Sequence, residues 1–558
     1  MPSGRGDDDD RLMAFTAAAW RGAPPWPVAI WLALLVGGLV ARPPLAPVES
    51  RLLSAAWRSW VEAAGPFAVA DRPPLPIWLI HLGWGAFGVS ETWARLVAPL
   101  FALGALLLIA PLARLLWPKR PDGAPLAAIV FAGSGVFAAY SSLSVLAWPL
   151  VCFALVGLVG IALAGSGRPA LGWALLGAGI GLGFLATASL APLLLLVPVA
   201  LLGPVWLERA PDGGWGAWYA GLSGAAALGA AIALAWLLPA AGGDIAVAGA
   251  IVLAPPGEPS GAARPWYGAL VFAPLALYPW LLWQTLWLAG RRQFRRFGEG
   301  GSRFCLLAAA AGLAAALTLG EGQAQDLLLP LPALALLAAR LLTAADSRPT
   351  DFHAVVPGLI ALLVGLVFFL LNLVPVAHLD AVWREFIGDS GLPLWLGGIS
   401  LASGLTLLGG GYLLAQMTPR ELTAGAVQLA LMPALLATTL NLEFAVSLRR
   451  FFDLEPVARQ IHALQQAGRP VGVYGAYGGE FDFPGRLERP LAVLADRATA
   501  VLWAADNETG VVVSYFKGSV LRLPVRPLYL GTVGDSRAAL WPAGAVQATD
   551  GAVLRSRF

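Results

Sequence analysis

The sequence has few charged residues. Only 12% of its 558 residues are Asp, Glu, Lys or Arg, 58% are hydrophobic, and the mean hydropathy is +0.72. A soluble globular protein has about 25% charged residues, so this chain lacks the charge needed to cover a soluble surface. The same composition excludes an intrinsically disordered chain and a disulfide-rich scaffold. A polytopic membrane protein remains, because a spanning helix takes about 20 apolar residues and thirteen such helices use roughly 260 positions.

Cysteine and lysine are also scarce. Cys152 and Cys305 both lie inside apolar runs, which argues against a disulfide and against a thiolate metal site. Lys119 and Lys517 are the only lysines, and the arginines form no basic stripe interleaved with aromatic residues. We therefore expect no nucleic acid among the partners.

Thirteen apolar runs have the length of membrane-spanning helices. In residue numbers they cover 24–42, 96–117, 124–140, 143–164, 170–187, 189–207, 216–239, 266–289, 304–320, 326–343, 354–376, 393–416 and 422–445. Two divisions between neighbouring runs fall on Ser142 and Ala188. The spacing predicts a membrane domain over residues 1–445.

The loop charges predict the orientation of the chain. With residues 1–23 as a cytoplasmic tail, the cytoplasmic connections hold most of the loop arginines, including a cluster from Arg291 to Arg303. The short outer connections hold Arg264 and Arg384. This asymmetry follows the positive-inside rule. An odd number of spans then places the C-terminal segment outside, in the periplasm of a bacterial inner-membrane protein.

Two segments predicted to lie outside are long. In the first, 42–95, apolar side chains recur at helical spacing over Leu52–Val61 and over Pro76–Phe87, which is typical of amphipathic helices lying in the membrane interface. The second, 446–558, alternates helix and strand and predicts a small α/β domain. Its expected elements are a helix at Pro456–Gln466, strands at Pro470–Gly475, Gly510–Tyr515 and Val520–Leu528, and an apolar segment at Ala498–Ala504.

Charged residues that can carry chemistry cluster at the predicted outer face. Glu49 follows the first span, and Arg51, Arg72 and Arg264 lie in outer segments. Arginines bind phosphate oxygens and stabilise a leaving phosphate, while a carboxylate acts as a general base or a metal ligand. This combination suits a phosphate-linked substrate.

Each candidate also has a plainer interpretation. Glu49 is equally well explained as a solvated residue or as an ion-pair partner of Arg51, and Arg72 as an arginine that reaches the membrane interface. Glu91 and Arg95, one helical turn apart, favour a structural i,i+4 pair over a site. A further polar group between runs nine and ten consists of Glu321, Gln323, Gln325 and Asp326.

The order of the outer-face motifs resembles the membrane glycosyltransferases of family 39. That family has the GT-C fold and contains the aminoarabinose transferase of lipid A and the protein O-mannosyltransferases. The motifs that carry the resemblance are Val-Glu-Ser-Arg at 48–51, Arg-Pro-Pro-Leu-Pro-Ile-Trp at 72–78, Gly-Val-Ser-Glu-Thr-Trp-Ala-Arg at 88–95 and Arg-Pro-Trp-Tyr at 264–267. The resemblance covers nearly the whole chain, including the outer C-terminal domain.

The resemblance implies an inverting transfer of a sugar from a polyprenyl phosphate to a lipid or protein acceptor, as in lipid A modification and protein glycosylation. It implies that Glu49 supplies the general base or a ligand for a divalent cation, and that Arg51, Arg72 and Arg264 hold the donor phosphate. Membrane lipids are the surrounding partners.

This sequence departs from the family pattern at several positions. Val48, Ala147 and Thr187 stand where charged residues are usual, and Arg72 replaces a lysine, which keeps the charge but changes its geometry. Two further functions therefore stay open. One is a catalytically degenerate homologue that acts as a lipid-binding or accessory protein. The other is a polyprenyl-sugar transporter, which needs polar residues deep in the spans, where this chain is nearly free of charge.

Overall fold

The computed structural model describes most of the chain. The described residues are 25–39, 42–44, 49–62, 73–120, 122–253, 267–293, 298–344, 354–374, 378, 398–516, 525–533 and 536–554. Their contacts divide the chain into two compact units. The first comprises residues 1–39, 66–363 and 407–438, and the second comprises residues 40–65, 364–406 and 439–558.

The regular secondary structure of the described residues up to 445 is helical. In chain order they are α1 (Trp26–Leu39), α2 (Ser50–Val61), α3 (Pro74–Phe87), α4 (Glu91–Leu116), α5 (Gly123–Ala132), α6 (Gly135–Tyr140), α7 (Ala147–Gly165), α8 (Pro169–Thr187), α9 (Ala191–Leu201), α10 (Gly203–Trp206), α11 (Gly214–Ala240), α12 (Ile245–Leu253), α13 (Gly268–Val271), α14 (Ala273–Ala276), α15 (Gln284–Arg292), α16 (Gly300–Leu319), α17 (Leu331–Ala344), α18 (Val355–Leu373), α19 (Leu401–Gln416) and α20 (Leu422–Ala445). Short 3₁₀ turns occur at Trp280–Leu282 and Ala324–Leu328.

The predicted polytopic helical architecture is confirmed. Within the described residues, every predicted run contains helix, and seven helices are long and apolar enough to cross a membrane. These seven are α4, α7, α8, α11, α16, α18 and α20. Further apolar helices, such as α1 and α9, are shorter, so the number thirteen stays a prediction. The predicted orientation also stays a prediction.

Several run boundaries differ from the predicted ones for local reasons. Helix α4 begins at Glu91 rather than residue 96, because the Ser90 side chain accepts a hydrogen bond from the Trp93 backbone N–H (3.4 Å) and caps the helix. The run 124–140 is broken between α5 and α6, and the run 266–289 is split into short helices around Pro274 and Pro279. Proline lacks an N–H and interrupts a continuous helix.

Small residues set the helix packing in the first unit. At Gly160 in α7, a Cβ atom would lie 2.5 Å from the carbonyl oxygen of Gly172 in α8, and at Gly172 a Cβ would lie 2.6 Å from the Gly160 oxygen. The two backbones therefore approach as closely as glycine permits. Such contacts are a common basis of helix association in membranes, where lipid tails remove the hydrophobic drive between helices.

The C-terminal part of the second unit is an α/β domain, as predicted. Its elements are α21 (Arg449–Phe452), α22 (Glu455–Gln466), β1 (Val471–Tyr474), β2 (Ala492–Leu494), α23 (Arg497–Asp506), β3 (Val511–Phe516), β4 (Tyr529–Val533), β5 (Ser536–Pro542) and α24 (Ala543–Ala548). The strand order is β2-β1-β3-β5-β4, with β1 parallel to β2 and β3, and β5 antiparallel to β3 and β4. The prediction of a strand at Val520–Leu528 is wrong for the described residues 525–528, because the observed strand β4 begins at Tyr529.

Both faces of this sheet are buried. Val511 and Val513 of β3 pack with Ile461 of α22 on one face, and Val512 packs with Ala500 of α23 on the other. Alternate residues of β3 thus enter two different cores, as the period of two in a strand requires. The boundary predicted between residues 445 and 446 stays a prediction. By contact, the loop helix α2 belongs to the same compact unit as this sheet.

Candidate functional site

Glu49 forms an ion pair with Arg42 in the second unit. The Arg42 guanidinium donates to the Glu49 carboxylate through Nη1, and both side chains are fully withdrawn from solvent. Nε of Arg42 also donates to the side-chain oxygen of Asn441, near the end of α20 (3.3 Å). The interpretation of Glu49 as a solvated residue is therefore wrong. Within the part of the chain that it describes, the structure pairs Glu49 with Arg42, seven positions earlier, and not with Arg51, the partner that the sequence suggests.

Glu49 directly precedes α2, and Asp482 holds this helix against the C-terminal domain. Arg51 lies on the exposed side of α2. The Asp482 carboxylate, in the loop after β1, accepts three hydrogen bonds from α2. The donors are Ser54 Oγ (2.7 Å), Arg58 Nε (3.0 Å) and Arg58 Nη2 (2.7 Å). The position of Glu49 is thus fixed from two directions, by Arg42 and by the attachment of α2.

The predicted pair of Glu91 and Arg95 is present in the first unit. Nη1 of Arg95 donates to the Glu91 carboxylate (3.0 Å), and its Nη2 donates to the Gly38 carbonyl of α1 (3.0 Å). Arg95 is 2% exposed and Glu91 is 42% exposed. Because the Arg95 guanidinium bridges α4 to α1, this pair has the contacts of a structural element.

The polar group between α16 and α17 lies in the connection 320–330. Asp326 accepts a hydrogen bond from the backbone N–H of Gln323 (2.9 Å), and the Gln323 side chain donates to Glu321 (2.8 Å). Burial, with a smaller contribution from the charge of Glu321, raises the pKa of the Asp326 carboxyl from 3.8 to about 6. The predicted tenth run began at Asp326, but the helix itself begins at Leu331.

Other predicted site positions are unevenly covered. Val48, Arg72 and Arg264 lie outside the described residues. Ala147 begins α7, and Thr187 ends α8 with its hydroxyl within hydrogen-bond distance of the Gly183 carbonyl (3.4 Å) and Ser189 Oγ (2.9 Å). The structure therefore gives Thr187 a local polar role at a position where the motif resemblance predicts a charged residue.

Sequence reasoning missed three polar residues around Glu49 and α2. Arg42 was visible only as the end of the first run, and Asn441 as a polar residue in an apolar helix. Asp482 follows a predicted strand, but its partners Ser54 and Arg58 lie more than 400 positions away. A fourth polar feature, Glu443, accepts hydrogen bonds from the Ser400 hydroxyl and N–H, so α20 contains a buried carboxylate as well.

The residues near Glu49 do not fit a divalent cation. Cations of this kind prefer several oxygen ligands, whereas the charged group against the Glu49 carboxylate is itself a guanidinium. Across the residues that the structure describes, no group of three or more His, Cys, Asp or Glu has the arrangement of a metal site.

Comparisons with known proteins agree with the fold. The model of the family described as dolichyl-phosphate-mannose-protein mannosyltransferase matches residues 71–211. The chain is similar in structure to apo ArnT from Cupriavidus metallidurans, with a TM-score of 0.64 and 16% sequence identity. The match covers 97% of this chain and 99% of that chain. The same enzyme bound to undecaprenyl phosphate is 16% identical, with a TM-score of 0.61, over 95% and 98%. No curated protein sequence matches the chain significantly.

These similarities confirm the resemblance predicted from the motifs. The chain has the fold of the GT-C membrane glycosyltransferases over nearly its whole length, including the small C-terminal sheet domain. The family model covers the segment that holds the motifs at 72–78 and 88–95.

Proposed function

We propose that this chain, with its GT-C fold, is a membrane glycosyltransferase that moves a sugar from a polyprenyl-phosphate donor to a lipid or protein acceptor. The whole-length fold similarity to ArnT, one structure of which contains undecaprenyl phosphate, supports the donor class. The family model, described as dolichyl-phosphate-mannose-protein mannosyltransferase, supports the same class. We place the reaction on the outer face of the bacterial inner membrane.

The observation that carries the proposal is the similarity of fold to ArnT over 97% of this chain, and the described residues that carry the proposed chemistry are Glu49 and its buried partner Arg42. In the proposed reaction, an acceptor hydroxyl attacks the anomeric carbon, the bond from that carbon to the phosphate oxygen breaks, and polyprenyl phosphate leaves. Glu49 takes the hydroxyl proton as general base. Arg51, Arg72 and Arg264 hold the phosphate and stabilise its developing charge.

Arg42 gives this site a simple way to respond to the donor. A guanidinium binds phosphate and carboxylate with the same planar fork of N–H donors. A donor phosphate that takes over hydrogen bonds from Glu49 leaves the carboxylate free to accept a proton. The ion pair therefore belongs to the resting state, and its opening accompanies donor binding.

A second candidate function, a lipid-binding homologue without transferase activity, is favoured by two observations. The Glu49 carboxylate is fully withdrawn from solvent and neutralised by Arg42, and neutral Ala147 and Thr187 stand at positions that usually carry charge. If the pair does not open, the protein binds lipid phosphate without catalysis.

The deciding experiment uses purified protein in nanodiscs with radiolabelled polyprenyl-phosphate sugars and with membrane lipids and proteins as acceptors. Wild type is compared with Glu49→Gln and with Glu455→Gln, a control at a half-exposed carboxylate of α22. Because Glu49→Gln takes the carboxylate charge away from the buried Arg42, the double variant Arg42→Gln with Glu49→Gln serves as a folding control.

Three outcomes separate the functions. Transfer by wild type and Glu455→Gln, lost in Glu49→Gln while donor binding persists, supports the transferase. Saturable binding of undecaprenyl phosphate by wild type, with no transfer from any donor, supports the lipid-binding homologue. If wild type neither transfers sugar nor binds the lipid phosphate, both functions are wrong.

A further inference from the structure

Asp482 is the centre of a buried hydrogen-bond network in the second unit. Its Oδ2 accepts from Ser54 Oγ (2.7 Å) and Arg58 Nε (3.0 Å), and its Oδ1 accepts from Arg58 Nη2 (2.7 Å) and the Tyr477 hydroxyl (2.8 Å). The Asp482 side chain is 5% exposed. Each carboxylate oxygen thus has two donors, and the two contacts from Arg58 form a bidentate pair, the strongest common geometry for these groups.

The Tyr477 hydroxyl is held as a donor in this network. Burial, followed by the Asp482 carboxylate and then the charge of Glu480, raises the pKa of the Tyr477 phenol well above its ordinary value. The phenol therefore keeps its proton at physiological pH. It also accepts a hydrogen bond from the backbone N–H of Phe481 (3.2 Å), which shapes the loop that carries Asp482.

Contacts of the Trp57 side chain fix the same helix beside the network. Trp57 Nε1 donates to the Leu487 carbonyl (2.8 Å), and the Trp57 ring meets Phe483 edge to face at 6.1 Å. The Arg486 guanidinium lies 5.1 Å from the Trp57 ring centre and 3.8 Å from that of Phe483, within cation–π range.

Glycine at 479 allows α2 to approach the loop. The residue has φ +81°, a conformation that favours glycine, and a Cβ atom there would lie 2.1 Å from Ser54 Oγ. Gly479 thus serves both the turn and the close contact with α2.

The network lies at a particular place in the sheet. β1 is the middle of three parallel strands, between β2 and β3, and the loop with Asp482 leaves its carboxyl end. In open α/β sheets, this edge is where ligands bind. Here the loop at this edge contacts α2, a helix of the same chain, and the residue before that helix is Glu49.

From this arrangement we infer that Asp482 is a positioning residue for Glu49. The loop of the C-terminal sheet that carries Asp482 holds α2, and α2 in turn holds the Glu49 carboxylate in the position from which it acts on the acceptor. The inference rests on the proposed function for its catalytic consequence. The helix transmits the restraint because the Leu53 N–H donates to the Glu49 carbonyl (3.3 Å), which ties Glu49 to the first turn. Arg42, whose Nε also donates to Asn441, holds the Glu49 side chain from the other direction.

The test compares graded variants of the network with a matched ion pair elsewhere in the same domain. Arg58→Lys keeps the charge and loses the bidentate geometry, Asp482→Asn keeps the shape and loses the charge, and Ser54→Ala removes one donor. The control is Arg497→Gln, whose partner Asp550 is 83% exposed and lies in the same α/β domain. All are purified in nanodiscs and checked for thermal unfolding.

We expect kcat for sugar transfer to fall about tenfold to a hundredfold in Arg58→Lys and Asp482→Asn, because a small misplacement of a reacting group has effects of this size. KM for the donor is expected to change by a smaller factor than kcat, since two of the three arginines proposed to hold the phosphate, Arg72 and Arg264, lie outside α2. Ser54→Ala has a smaller effect in the same direction, and Arg497→Gln has none. Unchanged kcat in folded Arg58→Lys and Asp482→Asn overturns the inference, as does a loss that appears only in KM.

A second measurement stands apart from activity. Amide hydrogen exchange over residues 50–61 reports the local opening of α2. We expect exchange there to rise about tenfold in Asp482→Asn, while α23 exchanges as in wild type. If wild type transfers no sugar, the proposed function fails, and exchange alone decides whether Asp482 restrains α2. Unchanged exchange over 50–61 then overturns the positioning role as well.

Discussion

The carboxylate of Glu49 and the guanidinium of Arg42 form an ion pair with neither side chain exposed to solvent. Burying two charges costs desolvation energy that their mutual attraction repays only while both partners are present. The pair is therefore a sensitive point of the second unit, and replacing one partner has a different consequence from replacing both.

We predict that Arg42→Gln and Glu49→Gln each destabilise the protein by about 3–5 kcal/mol, because each removes the opposite charge from a buried ionised group. The double variant is expected to regain most of this loss. Thermal unfolding of the four proteins in nanodiscs forms a double-mutant cycle. If the two side chains have no interaction energy, the effects of the two single substitutions on the free energy of unfolding add up to the effect of the double variant.

The contacts of Arg95 predict unequal effects within its ion pair. Glu91→Gln is expected to cost less than about 1 kcal/mol, since Glu91 is 42% exposed and exposed helical pairs contribute little. Arg95→Met is expected to cost more, because Arg95 is 2% exposed and also donates to the Gly38 carbonyl. Unfolding temperatures of the two variants at matched pH measure the difference. Equal effects would contradict the bridging role of the Arg95 guanidinium.

Local sequence patterns predict much of this architecture. Among the described residues, the length of each apolar run is enough to predict helix there. Ser90 explains where α4 starts, and the prolines at 274 and 279 explain where the run 266–289 breaks. The division predicted at Ala188 is confirmed by its left-handed backbone, with φ 53°. Strand β2 has three residues, too few for a period of two to be visible.

The candidate site is less accessible to sequence reasoning because long-range contacts build it. Glu49 was identified from its motif, but Asn441, which binds the same Arg42, is some 400 positions from that arginine. The contact between Arg58 and Asp482 joins residues 424 positions apart. A single sequence contains the chemical character of these residues but no information on which of them meet.

The close packing of α7 and α8 predicts a strong dependence on glycine at position 160. In Gly160→Ala, the new methyl group would lie 2.5 Å from the Gly172 carbonyl oxygen, so one of the two backbones must move. We expect a loss of about 1–3 kcal/mol, the usual cost of overpacking. Gly224→Ala in α11 is the matched control, because a Cβ there meets nothing within 4 Å. Thermal unfolding in detergent should show a lower midpoint for Gly160→Ala alone, and equal midpoints would refute the close contact.

The half-buried carboxyl of Asp326 predicts a pH-dependent stability of defined sign. Burial raises its pKa in the folded protein to about 6, from an ordinary value of 3.8. The folded state therefore binds the proton more tightly than the unfolded state between about pH 4 and 6. By linkage, the contribution of Asp326 to the free energy of unfolding is fully present below about pH 4, and it is lost as the pH rises through about 6. Because a tenfold change in proton affinity corresponds to about 1.4 kcal/mol, the loss is on the order of 2–3 kcal/mol.

Asp326→Asn removes this titration while keeping an oxygen that can accept from the Gln323 N–H. We expect the variant to unfold at a higher temperature than wild type at about pH 7.5, and the difference to shrink towards about pH 4.5. Asp496→Asn is the control of opposite sign, since hydrogen bonds from Thr499, first among them its backbone N–H, lower the pKa of the exposed Asp496 carboxyl. That stabilisation exists above the ordinary pKa and disappears as the pH falls, so Asp496→Asn should bring no gain at neutral pH. A difference between wild type and Asp326→Asn that stays constant over this pH range would mean that the Asp326 carboxyl does not titrate within it.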